Sequence, residues 1–163
     1  MAESIICDTS VWLYLGRVGQ IELLRQLYPT VYTTETVCWE LDNGRLSRAD
    51  TPDPRLFSWI RIVQPEPQEL NDLPANRLGP GERSVLAYAH RHQLQVVGLD
   101  DRQARNMAQR LGLSVTGTLG VLLRAKEAGL IPTIRPLLRS IQDEGFHVSE
   151  ELLKFMLQRA GEE

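Results

Sequence analysis

Ser4-Ile5-Ile6-Cys7-Asp8-Thr9-Ser10 is the stretch whose reading decides the fold. A short unbroken apolar run that stops at a carboxylate reads as a strand buried on both faces, with the acid at its carboxyl end. Thr9 or Ser10 can then cap a helix carrying Val11, Trp12, Leu13 and Leu15. The same order recurs at Gln95-Val96-Val97-Gly98-Leu99, which runs into Asp100 and Asp101 and then a helix over about Arg102 to Leu111. Between these two units, Gly16 to Gly19 breaks the first helix, and Ile21, Leu23, Leu24 and Leu27 fit a short second one that Pro29 ends. Val31-Tyr32-Thr33 suits a strand, and Thr34 caps a helix with Val37, Cys38 and Leu41 that ends near Asn43-Gly44.

Residues 45–58 are polar with two prolines and read as a loop or lid, and Ile60-Arg61-Ile62-Val63 reads as an edge strand. A connection rich in Pro and Glu leads to Gly79-Pro80-Gly81-Glu82, which opens a helix through His92. A strand at Leu113-Ser114-Val115 and a helix from about Thr118 to Ala128 follow. Two helices close the chain, around Ile134 to Ile141 and Ser149 to Arg159. Strands alternating with helices predict an α/β protein with a central parallel sheet covered on both faces. In such sheets ligands gather beyond the carboxyl ends of the strands, so Asp8 and Asp100-Asp101 are expected to emerge on one working edge.

Composition narrows the class. The chain has 163 residues, of which 42% are hydrophobic and 24% charged, and this predicts one soluble domain over 1–163 with a sizeable core. No apolar run approaches the ~18 residues of a membrane span, and no cleavable secretory leader is visible. Cys7 and Cys38 form no disulfide framework, which points to a reducing, cytoplasmic setting. The net charge of −3 conceals an asymmetry: residues 102–139 hold seven basic side chains and one acid, a local charge of +6 that leaves −9 for the remainder. A basic segment of this kind either holds a phosphate backbone or is a solvated helix face.

Four acids stand at conspicuous places: Asp8 and Asp100 at strand ends, Glu40 inside the otherwise apolar Val37-Cys38-Trp39-Glu40-Leu41, and Glu82 in the first turn of its helix. Each alone has a structural reading. Asp8 and Asp101 can be N-caps, Glu82 can complement a helix dipole, and Glu40 can face water. Brought together they repel, by about 4 kcal/mol per pair at ~4 Å and an effective dielectric of ~20. The cluster then needs protons or a cation. With no His or Cys at ligand spacing, an all-oxygen site favours Mg²⁺ or Mn²⁺. Such an ion suits phosphodiester hydrolysis, because it generates hydroxide from water and stabilises the in-line transition state.

At these residues the chain resembles the PIN-domain nucleases. Ile5-Ile6-Cys7-Asp8-Thr9-Ser10, Glu40 in Val-Cys-Trp-Glu-Leu, Gly81-Glu82 before a helix and Leu99-Asp100-Asp101 are similar to that family's successive acidic motifs. Asp100-Asp101-Arg102-Gln103-Ala104-Arg105 and Val115-Thr116-Gly117-Thr118-Leu119-Gly120 resemble its VapC-like branch. The resemblance covers about residues 4–140, with 141–163 as a helical extension. It implies a three-layer α/β/α sandwich and a Mg²⁺- or Mn²⁺-dependent endoribonuclease. Asp8, Glu40 and Asp100 match the family's first, second and last acidic positions. Glu82 falls where many members carry Asp, and Asp101 substitutes for or assists Asp100. The metal set so implied is Asp8, Asp100, Glu40 and Asp101, while Ser10 and Thr118 orient water through their hydroxyls. The resemblance further implies an RNA substrate, a small antitoxin that blocks the site, and a homodimer.

Other constellations fail at specific residues. A haloacid-dehalogenase-type phosphatase needs an Asp where Ser10 stands, and a response-regulator receiver needs paired acids after its first strand. Gly79-Pro80-Gly81 lacks the Gly-Lys-Ser/Thr of a phosphate loop. His90, His92 and His147 have no ligand spacing, and Cys7 reads as core filling. Arg102 and Arg105 share a helix face and either pair with the acids, the preferred reading, or grip phosphate. Trp12 and Trp39 are expected in or near the core, leaving Trp59 as the base-stacking candidate. Leu152, Leu153, Phe155, Met156 and Leu157 are expected to pack in the core, with part of the run free to form a dimer or antitoxin surface. A toxin-type endoribonuclease is the leading expectation. A nucleic-acid-binding module that cuts nothing is the alternative, and a phosphatase acting on small esters comes third.

Overall fold

The computed structural model describes residues 3–163; Met1 and Ala2, at the head of the expected domain, lie outside the described residues. Five parallel strands form one sheet in the order β3-β2-β1-β4-β5. They are β1 (Ile5–Cys7), β2 (Val31–Thr34), β3 (Ile60–Val63), β4 (Val96–Gly98) and β5 (Ser114–Thr116). The helices are α1 (Thr9–Arg17), α2 (Leu23–Leu27), α3 (Glu35–Ser47), α4 (Pro67–Asn71), α5 (Pro80–His92), α6 (Arg102–Arg110), α7 (Thr118–Glu127), α8 (Arg135–Asp143) and α9 (Glu150–Arg159). The result is a three-layer α/β/α sandwich, as expected, with Ile60–Val63 indeed on an edge.

The central strands explain themselves. Every residue of β1 and β4 is buried, so an apolar run without alternation is what a strand covered on both faces requires. Trp12 is anchored beneath them: its indole N–H donates to the Cys7 carbonyl (3.2 Å) and to Thr33 Oγ1 (3.1 Å). The chain runs from β1 outward to β2 and β3, then returns across the sheet to β4 on the other side of β1. The strand order therefore reverses between β1 and β4, where Cys7 pairs with Gly98. A crevice forms at such a switch point because the connections on either side lead away from it.

Several local expectations change in three dimensions. Helix α3 continues through Asn43-Gly44 to Ser47. Its last turn is held by Arg45, which bonds Asp42 and donates to the Pro52 carbonyl (2.8 Å). The segment expected as a lid is pinned, with Thr51 and Pro54 buried and Arg48 donating to Glu144 Oε2 (2.6 Å). Part of the Pro- and Glu-rich connection forms α4, which starts at Pro67, a residue suited to a first helical position. Trp39 is 55% exposed rather than in the core, because Val37, Cys38 and Leu41 are the side chains that α3 turns inward. Trp59 is half-buried against Phe57, with ring centroids 5.6 Å apart. It precedes β3 at the amino end of a parallel sheet, away from the edge where ligands gather, so it does not serve as a stacking platform there. The C-terminal run divides: Met156 and Leu157 are buried, whereas Leu152 and Phe155 are 38% and 50% exposed.

Candidate active site

Helices α1, α5, α6 and α7 begin at the carboxyl edge of the sheet, each beside an acid. Asp8 is the N-cap residue of α1, Glu82 lies in the first turn of α5, and Asp101 is the N-cap of α6, with Asp100 just before it. Helix α7 starts at Thr118, which contacts Asp100. The partial positive charge at helix N-termini favours carboxylates here and offsets part of their mutual repulsion.

Asp8, Glu40, Glu82, Asp100 and Asp101 line one pocket of about 340 Å³, together with Thr9, Ser10 and Tyr14. The expected acids thus meet, although Asp8 and Asp100 are more than ninety positions apart in sequence. Asp100 is the most firmly held. Its Oδ1 accepts the Thr118 backbone N–H (2.7 Å), and its Oδ2 accepts the hydroxyls of Thr118 and Ser10 (2.7 Å each). Glu40 Oε1 accepts from Thr9 Oγ1 (2.5 Å) and its Oε2 from the Gly81 N–H (3.0 Å). Glu82 reaches back to the Gly79 N–H (3.1 Å), closing the first turn of α5. Asp101 caps α6 by accepting the Ala104 N–H (3.0 Å), so its structural reading holds while it also borders the pocket.

Asp8 is different. Its side chain is 6% exposed, and its Oδ1 is buried with no hydrogen-bond partner among the described residues. Burial pushes its carboxyl up to about 7; the Thr9 backbone N–H opposes the shift, while Glu82, Glu40 and Asp100 add to it. Glu82 is also raised, first by burial and then by Asp101 and Glu40. The Cys7 thiol, buried beneath the site and facing the charges of Asp100 and Asp8, is pushed far above its ordinary value, which fits an inert core residue.

A cluster of oxygen donors with one buried, orphaned carboxylate oxygen fits a hard divalent cation. The side chains stand around the pocket rather than converging fully: among the described residues no three acidic, His or Cys side chains are grouped closely enough to hold one ion.

Three contributors were not legible as site residues. Thr9 holds Glu40. Gly81 lets the Glu40 carboxylate approach the helix, since a Cβ there would lie 2.8 Å from Glu40 Cδ. Gly117 does the same for Asp100 and Arg105, because a Cβ would lie 2.7 Å from Asp100 Oδ1 and 2.8 Å from Arg105 Nη1. The glycines at Gly79-Pro80-Gly81 and Thr116-Gly117-Thr118 were the available signal, and a close backbone approach is one of glycine's ordinary uses.

The basic segment is divided rather than gathered. Arg102 and Arg105 start α6 at the acidic edge, but among the described residues neither makes an ion pair, and Arg105 Nη1 instead donates to the Leu99 carbonyl (3.0 Å). The expected pairing of these arginines with the acids is therefore not realised. Arg124 and Lys126 lie at the far end of α7, bonded to the Tyr28 hydroxyl (3.0 Å) and paired with Glu162 (3.4 Å). No helix among the described residues is long and apolar enough to cross a membrane.

Comparison with known proteins agrees with the architecture. No curated protein sequence matches the chain. Among solved structures, the crystal structure of Mycobacterium tuberculosis VapC20, a toxin that cleaves the sarcin–ricin loop, superposes with a TM-score of 0.50 at 17% identity. The match covers 65% of this chain and 94% of that one, and it is a likeness of fold. The family profile DUF3368, described as a PIN domain, matches residues 4–162, nearly the whole sequence. With that match, the parallel sheet and the acids at its switch point, the chain belongs to the PIN-domain family.

Proposed function

We propose that this protein is a divalent-metal-dependent endoribonuclease, the toxin of a toxin–antitoxin pair, acting as a single domain in a reducing cytoplasm. The observation that carries the reading is Asp8: a buried carboxylate with an orphaned oxygen, sharing one pocket at the switch point of the sheet with four further acids. Asp8, Glu40 and Asp100 would hold Mg²⁺ or Mn²⁺, with Asp101 and Glu82 at the rim. When bound, the ion supplies positive charge that lowers the pKa of water and stabilises an in-line phosphoryl transition state.

The chain's own residues do the rest. Thr9 and Gly81 fix both oxygens of Glu40, and Ser10 and Thr118 fix those of Asp100, so neither carboxylate has to be ordered when a substrate arrives. The hydroxyls of Ser10 and Thr118 point their hydrogens at Asp100; their oxygens retain lone pairs that can accept from water. Asp8, with its raised affinity for a proton, gives it up when a cation enters. Arg102 and Arg105 stand at the same edge as cations for substrate phosphate.

The test is cleavage of 5′-labelled RNA with Mn²⁺ by the intact chain and by Asp8→Asn, with folding followed by circular dichroism. Loss of cleavage in a folded variant is expected, and undiminished cleavage overturns the scheme. A binding module that cuts nothing is the second reading, favoured by the incomplete convergence of the acids. Calorimetric titration with Mn²⁺, alongside RNA binding in chelator, separates the two, because the binding module needs no ion.

A further inference from the structure

A second and larger depression, of about 670 Å³, opens beside the acidic pocket and shares Tyr14, Asp100 and Asp101 with it. Its walls come from the start of α7 and from the C-terminal residues 145–156, a part of the chain that contributes nothing to the carboxylate cluster. Three aromatic rings border it. Tyr14 and Phe146 meet edge to face with centroids 4.9 Å apart, and Phe155, half-exposed although its neighbour Met156 is buried, also lines the groove. Arg105 and His147 also line it. Arg105 donates one N–H to the Leu99 carbonyl and has no other protein acceptor among the described residues, while His147 is exposed and without one.

We infer that this groove is a nucleobase subsite, which receives the base of the nucleotide next to the bond cleaved in the acidic pocket. The inference rests on reading that pocket as the cleavage site. Three observations select a base over other occupants. The groove adjoins the acidic pocket through Tyr14, Asp100 and Asp101, so a ligand in it lies beside the carboxylates. Its most exposed apolar side chain is the Phe155 ring, beside Leu152, and ring faces accept a base of any identity by stacking. Its polar groups, Arg105 and His147, are donors suited to a base edge or the adjoining phosphate. Phe155 therefore positions substrate and takes no part in proton or phosphoryl transfer. Helix α9 and the loop before it thus have a function in substrate binding as well as in packing.

The test uses 5′-fluorescein decaribonucleotides of mixed sequence, together with a matched set abasic at the nucleotides flanking the cleaved bond. The intact chain is compared with Phe155→Ala and His147→Ala, both at exposed positions. Phe155→Ala is expected to raise KM about tenfold with kcat nearly unchanged, and this penalty disappears on the abasic set. Binding of the same RNA in EDTA, read by fluorescence anisotropy, weakens by the same factor and reports the subsite even if no RNA is cut. Cleavage that proceeds with an unchanged KM in Phe155→Ala overturns the subsite and leaves the nuclease reading standing. Binding without cleavage, weakened about tenfold in Phe155→Ala, supports the subsite and overturns the nuclease reading. An intact chain that neither cuts nor binds RNA overturns both. If a copurified protein partner is lost from Phe155→Ala while RNA kinetics stay the same, the groove is a protein-docking surface and the inference is wrong.

Discussion

Asp8 and Asp100 leave neighbouring strands on either side of the switch point, yet their surroundings are opposite: Asp100 accepts three hydrogen bonds, whereas Oδ1 of Asp8 is buried and accepts none. One carboxylate is saturated with donors, and the other is left to burial, which raises its affinity for a proton. On the proposed reading, a cation entering the pocket would return Asp8 to its ionised form and offset the cost of burying its charge.

Stability should therefore depend on pH through Asp8. Its carboxyl is raised from 3.8 to about 7 in the folded chain, so between those values the native state binds more protons than the unfolded one. The stabilising effect of the bound proton is complete below about pH 4 and is lost as pH rises through 7. The gap corresponds to about 4 kcal/mol as an upper bound. Asp8→Asn should accordingly be more stable than the parent at pH 8 by a few kcal/mol, and nearly equal to it at pH 4. Urea unfolding at the two pH values measures the difference, and an equal offset at both would contradict the assignment.

Divalent metal should reproduce that stabilisation. At pH 8, Mn²⁺ at a hundred times its dissociation constant is expected to add about 2.7 kcal/mol, seen as a rise in Tm by calorimetry. Asp8→Asn should lose most of the rise, and EDTA should reverse it. A parent chain whose Tm ignores Mn²⁺ and Mg²⁺ has no such site.

Gly81→Ala places a methyl against Glu40, whose Cδ is 2.8 Å from the position the new Cβ would take. Alanine gains up to about 1 kcal/mol in helix propensity, but overpacking costs about 1–3 kcal/mol, so the net effect is destabilising. The displaced Glu40 should reduce Mn²⁺-supported cleavage at least tenfold. A variant as active as the parent would show that the placement of Glu40 is unimportant. Gly117→Ala should behave in the same way through Asp100.

The C-terminus offers a control. Glu162 accepts the backbone N–H groups of Ile134 (2.8 Å) and Arg135 (3.1 Å) and pairs with Lys126, tying the last residues to the start of α8 and the end of α7. Glu162→Ala should cost about 1 kcal/mol, the usual worth of a helix cap, without altering cleavage per folded molecule. Thermal unfolding and activity measured on the same sample check both halves.

Much of the architecture can be read along the chain, because an unbroken apolar run and an amphipathic helix each declare which faces are covered. Ile5-Ile6-Cys7 and Val96-Val97-Gly98 are buried throughout, as their composition demands, and each leads into an acid that reaches the working edge. Asp8, Glu40 and Asp100 were recognisable for the same reason: a carboxylate at a strand end, or inside an apolar helical segment, is out of keeping with its neighbours, while Glu82 was marked by the Gly79-Pro80-Gly81 turn before it. Side-chain fates that depend on a distant segment were not legible. Trp39 points outward because three neighbouring side chains fill the inner face of α3, and α3 runs past Gly44 because Arg45 finds the Pro52 carbonyl. Arg105 turns to a backbone carbonyl rather than to an acid, and Arg124 and Lys126 are carried to the opposite end of the molecule.

The order of residues alone settled the class of fold and singled out the acids as candidates, since both follow from local pattern. Tertiary structure alone decided that Asp8 should be orphaned while Asp100 is saturated, that Gly81 and Gly117 should make room for carboxylates, and that the C-terminal residues should wall a groove beside them. Those outcomes depend on which atoms of remote segments come within a few ångströms, and strand pairing and crossover direction fix that where no periodicity records it.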